Sequence, residues 1–111
     1  MTDLVFDTLL ELDGTTIELP SLHIVRFRAT RVPPTPDRPQ GLDYSFTVHA
    51  PDGERIGGLD NAHQVKGRPK DDPRLDHKHR FRTVRPYDYV DAATLIEDFW
   101  LLVDQLVKET T

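Results

Sequence analysis

Apolar and polar positions alternate along much of this chain, and one long stretch switches to a helical period. From Leu22 to Thr30, Val25, Phe27 and Ala29 share one face while Arg26 and Arg28 take the other. From Leu42 to Ala50, Tyr44, Phe46 and Val48 oppose Ser45, Thr47 and His49. From Asp76 to Val84, His77, His79 and Phe81 oppose Lys78, Arg80 and Arg82, and Pro86 ends the run. Each of these reads as a strand. Leu4 to Glu11 alternates weakly and reaches Asp13-Gly14, a hairpin signal that predicts a first strand paired with Thr15 to Leu19. Pro51-Asp52-Gly53 predicts a tight turn, with Arg55 to Leu59 as the returning strand. Gly57-Gly58 inside that strand suggests a bulge or a close backbone approach.

The period changes after Asp91, a plausible N-cap. Leu95, Phe99, Leu102 and Leu106 make one helical stripe, and Ile96, Trp100, Val103 and Val107 make the adjacent one. Glu97, Asp98, Asp104 and Gln105 are left for water. Two connections remain. Residues 31–41 carry Pro33, Pro34, Pro36 and Pro39 and read as a stiff surface loop, and Gln64 to Leu75 reads as a polar loop. Strands followed by one helix predict a single α+β domain over 1–111. Its antiparallel sheet has about five to six strands within 4–30 and 42–84, and a helix at 91–108 packs on one face. The other face is then open to a partner or substrate.

Composition narrows this further. The 111 residues include no cysteine, so neither disulfides nor thiolate metal sites exist. No apolar run approaches the roughly eighteen residues of a membrane span, and Met1-Thr2-Asp3 has no signal-peptide character. A cytoplasmic location is expected. The net charge is -5, which speaks against non-specific nucleic-acid binding by the whole surface. Yet Glu54 to Arg85 holds nine Lys/Arg against five Asp/Glu. A basic centre inside an acidic frame can mark an anion-binding face, or merely a solvated loop.

The candidate chemistry lies in that centre. Asp60, Asn61 and His63 precede the polar loop, and Asp76, His77 and His79 follow it. His77 and His79, two apart on a strand, must share a face. Imidazoles titrate near neutrality and suit proton transfer. RNA cleavage would need a base at a 2′-hydroxyl, an acid at the leaving oxygen and cations on the phosphate. His77, His79 and His63, oriented by Asp60, can supply the first two. Arg80, Lys78, Lys66, Arg68 and Asn61 are candidates for holding substrate. The same histidines can also ligate a metal with His63, Asp60 or Asp76, but their spacing matches no zinc signature, and no cofactor is expected. The plain alternative is that they pack structurally and that Asp60 and Asn61 cap a strand end. His23 and His49 read as structural or surface residues.

Leu59-Asp60-Asn61-Ala62-His63, Asp76-His77-Lys78-His79-Arg80, Tyr87 and Leu95-Ile96-Glu97-Asp98-Phe99-Trp100 together resemble the TumE family of bacterial toxins. The resemblance covers roughly Tyr44 to Leu106. It implies growth inhibition, neutralised by a DNA-binding helix-turn-helix antitoxin as the cognate partner. It implies no chemistry. Three readings stand: a toxin cleaving RNA by histidine acid–base chemistry, a non-catalytic binding module, and a metal-dependent nuclease or phosphotransfer enzyme. Asp60, Asn61 and His63 reach His77 and His79 only if the Arg55–Leu59 strand lies beside the later one.

Overall fold

Strands form where alternation is cleanest. In the computed structural model, which describes residues 3–111, the sheet runs β1 (Thr16–Glu18), β2 (Ile24–Arg31), β3 (Leu42–His49), β4 (Arg55–Asp60), β5 (His77–Arg80) and β6 (Thr83–Pro86). The signal-peptide reading of Met1 and Thr2 lies outside these residues. The six strands lie in sequence order, each antiparallel to the next. One face buries Val25, Phe27, Tyr44, Phe46 and Leu59 against Leu95, Phe99, Leu102 and Leu106 of the C-terminal helix α2 (Ala92–Glu109). Phe27, Phe46 and Phe99 meet edge to face at centroid distances of 5.0, 5.4 and 5.5 Å, the arrangement their ring quadrupoles favour. Asp91 caps α2 as expected, its Oδ1 accepting from the Thr94 amide at 2.7 Å. Asp98 is half-buried and accepts a bond from the Tyr87 hydroxyl, so it does not simply face water.

Both glycine readings hold. Pairing jumps from Val48–Gly57 to His49–Arg55, leaving Ile56 as a bulged extra residue. A Cβ on Gly57 would lie 2.4 Å from Leu106 Cδ1, so its absence lets α2 sit down on β4.

Two expectations fail. The stretch expected as a first strand is a short helix, α1 (Phe6–Leu10). Val5, Phe6, Leu9 and Leu10 recur at helical spacing, and Phe6 and Leu9 are buried against the core. Asp3 supports its start, with Oδ1 accepting from the Val5 amide at 3.2 Å, while Oδ2 accepts from Ala92 of α2 at 2.8 Å. Asp13-Gly14 is indeed a turn, but β1 pairs with β2 and not with the preceding segment. The second failure is Asp76 to Val84, which is not one strand. It turns at Phe81-Arg82 into β6, with Phe81 left-handed at φ 55°. Phe81 therefore leaves the histidines' face, and the residue is 47% exposed.

Beyond Arg31, which ends β2, the Pro-rich segment has no strand or helix through residue 41, yet it is tied down. The Val32 amide donates to Gly41 O at 3.0 Å, Arg38 donates to Asn61 O at 2.9 Å, and the Leu75 amide donates to Asp37 O at 3.2 Å.

Candidate functional site

The adjacency the site needs is present. β4 and β5 pair in register, so Asp60 lies directly opposite His77 and Gly58 opposite His79. Leu59 and Lys78 alternate to the helix side, which leaves Asp60, His77 and His79 on the open face. His77 Nε2 comes within 2.7 Å of Asp60 Oδ1, and His79 Nε2 within 3.2 Å of Oδ2. Neither approach lies in line with the ring N–H, so these are close electrostatic contacts more than directed hydrogen bonds. Asp60 Oδ1 also accepts from the Ala62 amide at 3.2 Å, and the Arg55 guanidinium stands 3.4 Å from Oδ2.

The three histidines differ in environment. His77 is fully buried, with its Nδ1 2.7 Å from the Leu75 carbonyl. Both its nitrogens therefore face acceptors, which favours the imidazolium. Burial alone would push its pKa down, but the Asp60 carboxylate and the Leu75 carbonyl raise it above the usual imidazole value. Burial likewise pushes Asp60 up, yet His77, the Ala62 amide and His79 hold it below the usual carboxylate range. His79 keeps 17% of its side chain exposed. Burial, Arg55 and the charged His77 outweigh Asp60 there, so its pKa falls and it is neutral near pH 7. With Nε2 turned to Asp60, the His79 lone pair is assigned to Nδ1. His63 is exposed, and its ring packs edge-on to His77 at 4.8 Å, while His79 packs on His77 at 4.7 Å. A buried charged ring thus separates two accessible ones. The environments of His77 and His79 drive their titration in opposite directions.

The remaining candidates scatter. Lys78 and Arg80 sit on the helix side, where Arg80 pairs with Glu109, so the backbone pleat keeps both from the histidines. Asn61 is buried and closes the strand end, its Nδ2 donating to Leu42 O at 2.6 Å and its Oδ1 accepting from the Tyr44 amide at 3.0 Å. Arg68 is buried too. It donates to the carbonyls of Asp76 and Tyr87 and pairs with Asp72 at 3.2 Å, locking the 64–75 loop onto the end of β6. Lys66 remains exposed in that loop. Asp76 turns to the helix side, accepting from Tyr44 Oη at 2.8 Å and from Gln40 at 3.0 Å. His23 is buried between Ser21 and Thr110, 2.8 and 2.7 Å away, and His49 bonds Thr47 at 3.0 Å.

Arg55 had no marker in the sequence, because only the bulge at Ile56 turns its side chain toward Asp60. A cleft of about 290 Å³ between α2 and β5 is lined by Leu59, Lys78, Asp98 and Gln105, on the far side of the sheet from the histidines.

A metal ion has one candidate seat among the described residues. Donor atoms of Asp60, His77 and His79 lie within 4.8 Å of one another, a nitrogen–oxygen set that first-row divalent ions accept. The Arg55 guanidinium beside Asp60, and the acceptor on each side of His77, favour a protonated network there instead. No helix of the described residues is long and apolar enough to cross a membrane.

A family model described as Toxin TumE matches residues 7–107 of the chain. No curated protein and no solved structure gives a significant match.

Proposed function

The chain belongs to the TumE toxin family, and from that premise we propose that it is the toxin of a bacterial toxin–antitoxin module that cleaves RNA in the cytoplasm. A toxin family implies an antitoxin partner; we take that partner to be the helix-turn-helix protein expected from the sequence. The observation that carries the chemistry is the split among the histidines: a neutral, accessible His79 beside a buried Asp60–His77 ion pair, with exposed His63 on the other side.

In this reading His79 Nδ1 takes the proton from a ribose 2′-hydroxyl. The 2′-oxygen then attacks the adjacent phosphorus, and the bond from phosphorus to the 5′-oxygen breaks. His63 gives a proton to that departing oxygen. The products are a 2′,3′-cyclic phosphate and a 5′-hydroxyl, and charge is conserved. Arg55, with 42% of its side chain exposed, faces the phosphate, where a cation stabilises the developing charge. His77 and Asp60 touch no substrate. They position His79 and fix its tautomer.

Induced expression and RNA cleavage by purified protein test this. His79→Gln and His63→Gln are expected to lose at least about 100-fold in cleavage, within the range that general acid–base groups supply. Both should keep the wild-type melting temperature. New RNA ends should carry cyclic phosphate. Wild-type protein that neither arrests growth nor cleaves RNA overturns the reading. Cleavage abolished by chelator and restored by zinc or manganese would transfer the site to the metal-dependent alternative.

A further inference from the structure

The proposed reaction also needs a hold on the rest of the RNA chain, and the open face of the sheet carries one. In register across the strands, Arg26 lies opposite Thr47, Thr47 opposite Gly58, and Gly58 opposite His79. The next row runs Arg28, Ser45, Asp60, His77. Arg26 and Arg28 are exposed on this face because Val25, Phe27 and Ala29 alternate with them into the core.

Their guanidiniums are also uncommitted. Arg31, Arg55, Arg68, Arg74 and Arg80 are paired with acids, and Arg38 bonds the Asn61 carbonyl. Arg26, Arg28, Arg82 and Arg85 make no ion pair among the described residues. Of these four, Arg82 is at the hairpin turn, and Arg85 pairs in register with Lys78 on the helix side. Only Arg26 and Arg28 share the histidines' face.

Two acids share the face one diagonal step away, but neither pairs with Arg26 or Arg28 among the described residues. Asp60 is engaged by His77, Glu18 lies on the edge strand opposite Ile24, and Asp43 lies opposite Thr30 at the far end. Between the Thr47 hydroxyl and the imidazole, Gly58 is buried and carries no side chain, and the Arg55 guanidinium reaches past it to Asp60. A Cβ on Gly58 would lie 2.4 Å from Phe46 O, so backbone packing forbids a side chain at that point. One row therefore reads cation, hydroxyl, glycine, imidazole across three strand spacings, about 14 Å.

We propose that a single strand of RNA crosses the open face along these two rows, with its phosphates on Arg26 and Arg28 and the scissile phosphate at His79. The inference rests on the RNA-cleaving reading and adds the binding surface. A cationic track on a flat sheet face is the footing that backbone-directed single-strand binding uses.

The test uses the full-length His79→Gln protein, with an unstructured labelled oligoribonucleotide read by fluorescence anisotropy across a salt series. Adding Arg26→Ala and Arg28→Ala should weaken binding about tenfold or more. It should also lower the slope of log affinity against log salt by about 1.4, roughly 0.7 for each lost phosphate contact on a single strand. Arg85→Ala should change neither, and melting temperatures should match because all three arginines are solvent-facing. Unchanged affinity and slope overturn the track, as does an RNA duplex that binds as tightly as the single strand. Cleavage separates the two claims. If the protein cleaves RNA but Arg26→Ala/Arg28→Ala leaves KM unchanged, the track fails and the catalytic reading stands. If RNA binds through the arginines and nothing is cleaved, the catalytic reading fails and the track stands.

Discussion

Asp60 and Asp76 are both buried acids at the mouth of β5, yet they face opposite ways and respond to opposite forces. Asp60 is ionised and held by His77, so Asp60→Asn breaks a buried ion pair and should cost about 3–5 kcal/mol. Burial pushes the Asp76 pKa up, even with Tyr44 and Gln40 donating to it, and its Oδ1 has no partner. Asn can accept those same bonds, so Asp76→Asn should change stability by less than about 1 kcal/mol. The pH dependence follows from the directions. Asp60 is lowered, so its share of stability is present above about pH 3.9 and lost as pH falls through its folded value. His77 is raised, so its share is present below about pH 6.5 and lost as pH rises through its folded value. The stability gap between wild type and Asp60→Asn, measured by denaturant titration, should therefore narrow as pH rises above about 6.5. A gap that stays constant or widens would contradict the assigned charges. The sequence already pointed to Asp60, His77 and His79. It did not show that His77 is the buried one of the two imidazoles, because alternation assigns a face and not a depth.

At the scale of elements, the strands with strict alternation and the capped helix were legible, and the two misread segments were not. Each lacks the local marker that would have separated it from its neighbours. The β5–β6 turn has no Gly, Asn or Pro, and it puts Phe81 at a φ that a bulky side chain adopts only under strain. Phe81→Gly should accordingly raise stability by about 1 kcal/mol, whereas Asp91→Ala should lower it by about 1 kcal/mol through loss of the α2 cap. Thermal melts of the two variants check both signs. α1 was hidden differently. Its five residues are too few for a propensity signal, and it forms because Phe6 and Leu9 find the core while Asp3 bonds its first turn.

At the scale of the whole molecule, one hydrophobic cluster joins α1, the strands and α2. The elements that share this core should then unfold in one cooperative step. Fluorescence of the lone tryptophan, Trp100 on α2, and the imidazole resonances of His77 on β5 should be lost at the same denaturant concentration. Two separate transitions would mean that the site folds apart from the helix. The basic central segment also looks different at this scale. Arg68, Arg74 and Arg80 hold the structure together through Asp72, Asp88 and Glu109, while the free cations of the open face, Arg26 and Arg28, come from outside that segment. The sequence by itself determined the α+β class, the helix and its apolar face, and the sharing of one face by His77 and His79. These depend on spacing within a single element. Only the tertiary structure decided that Asp60 meets both imidazoles, that Arg55 joins them, and that Lys78, Arg80, Asn61 and Arg68 are taken up elsewhere. Those outcomes depend on strand order, register and a bulge, which bring together residues that no local pattern relates.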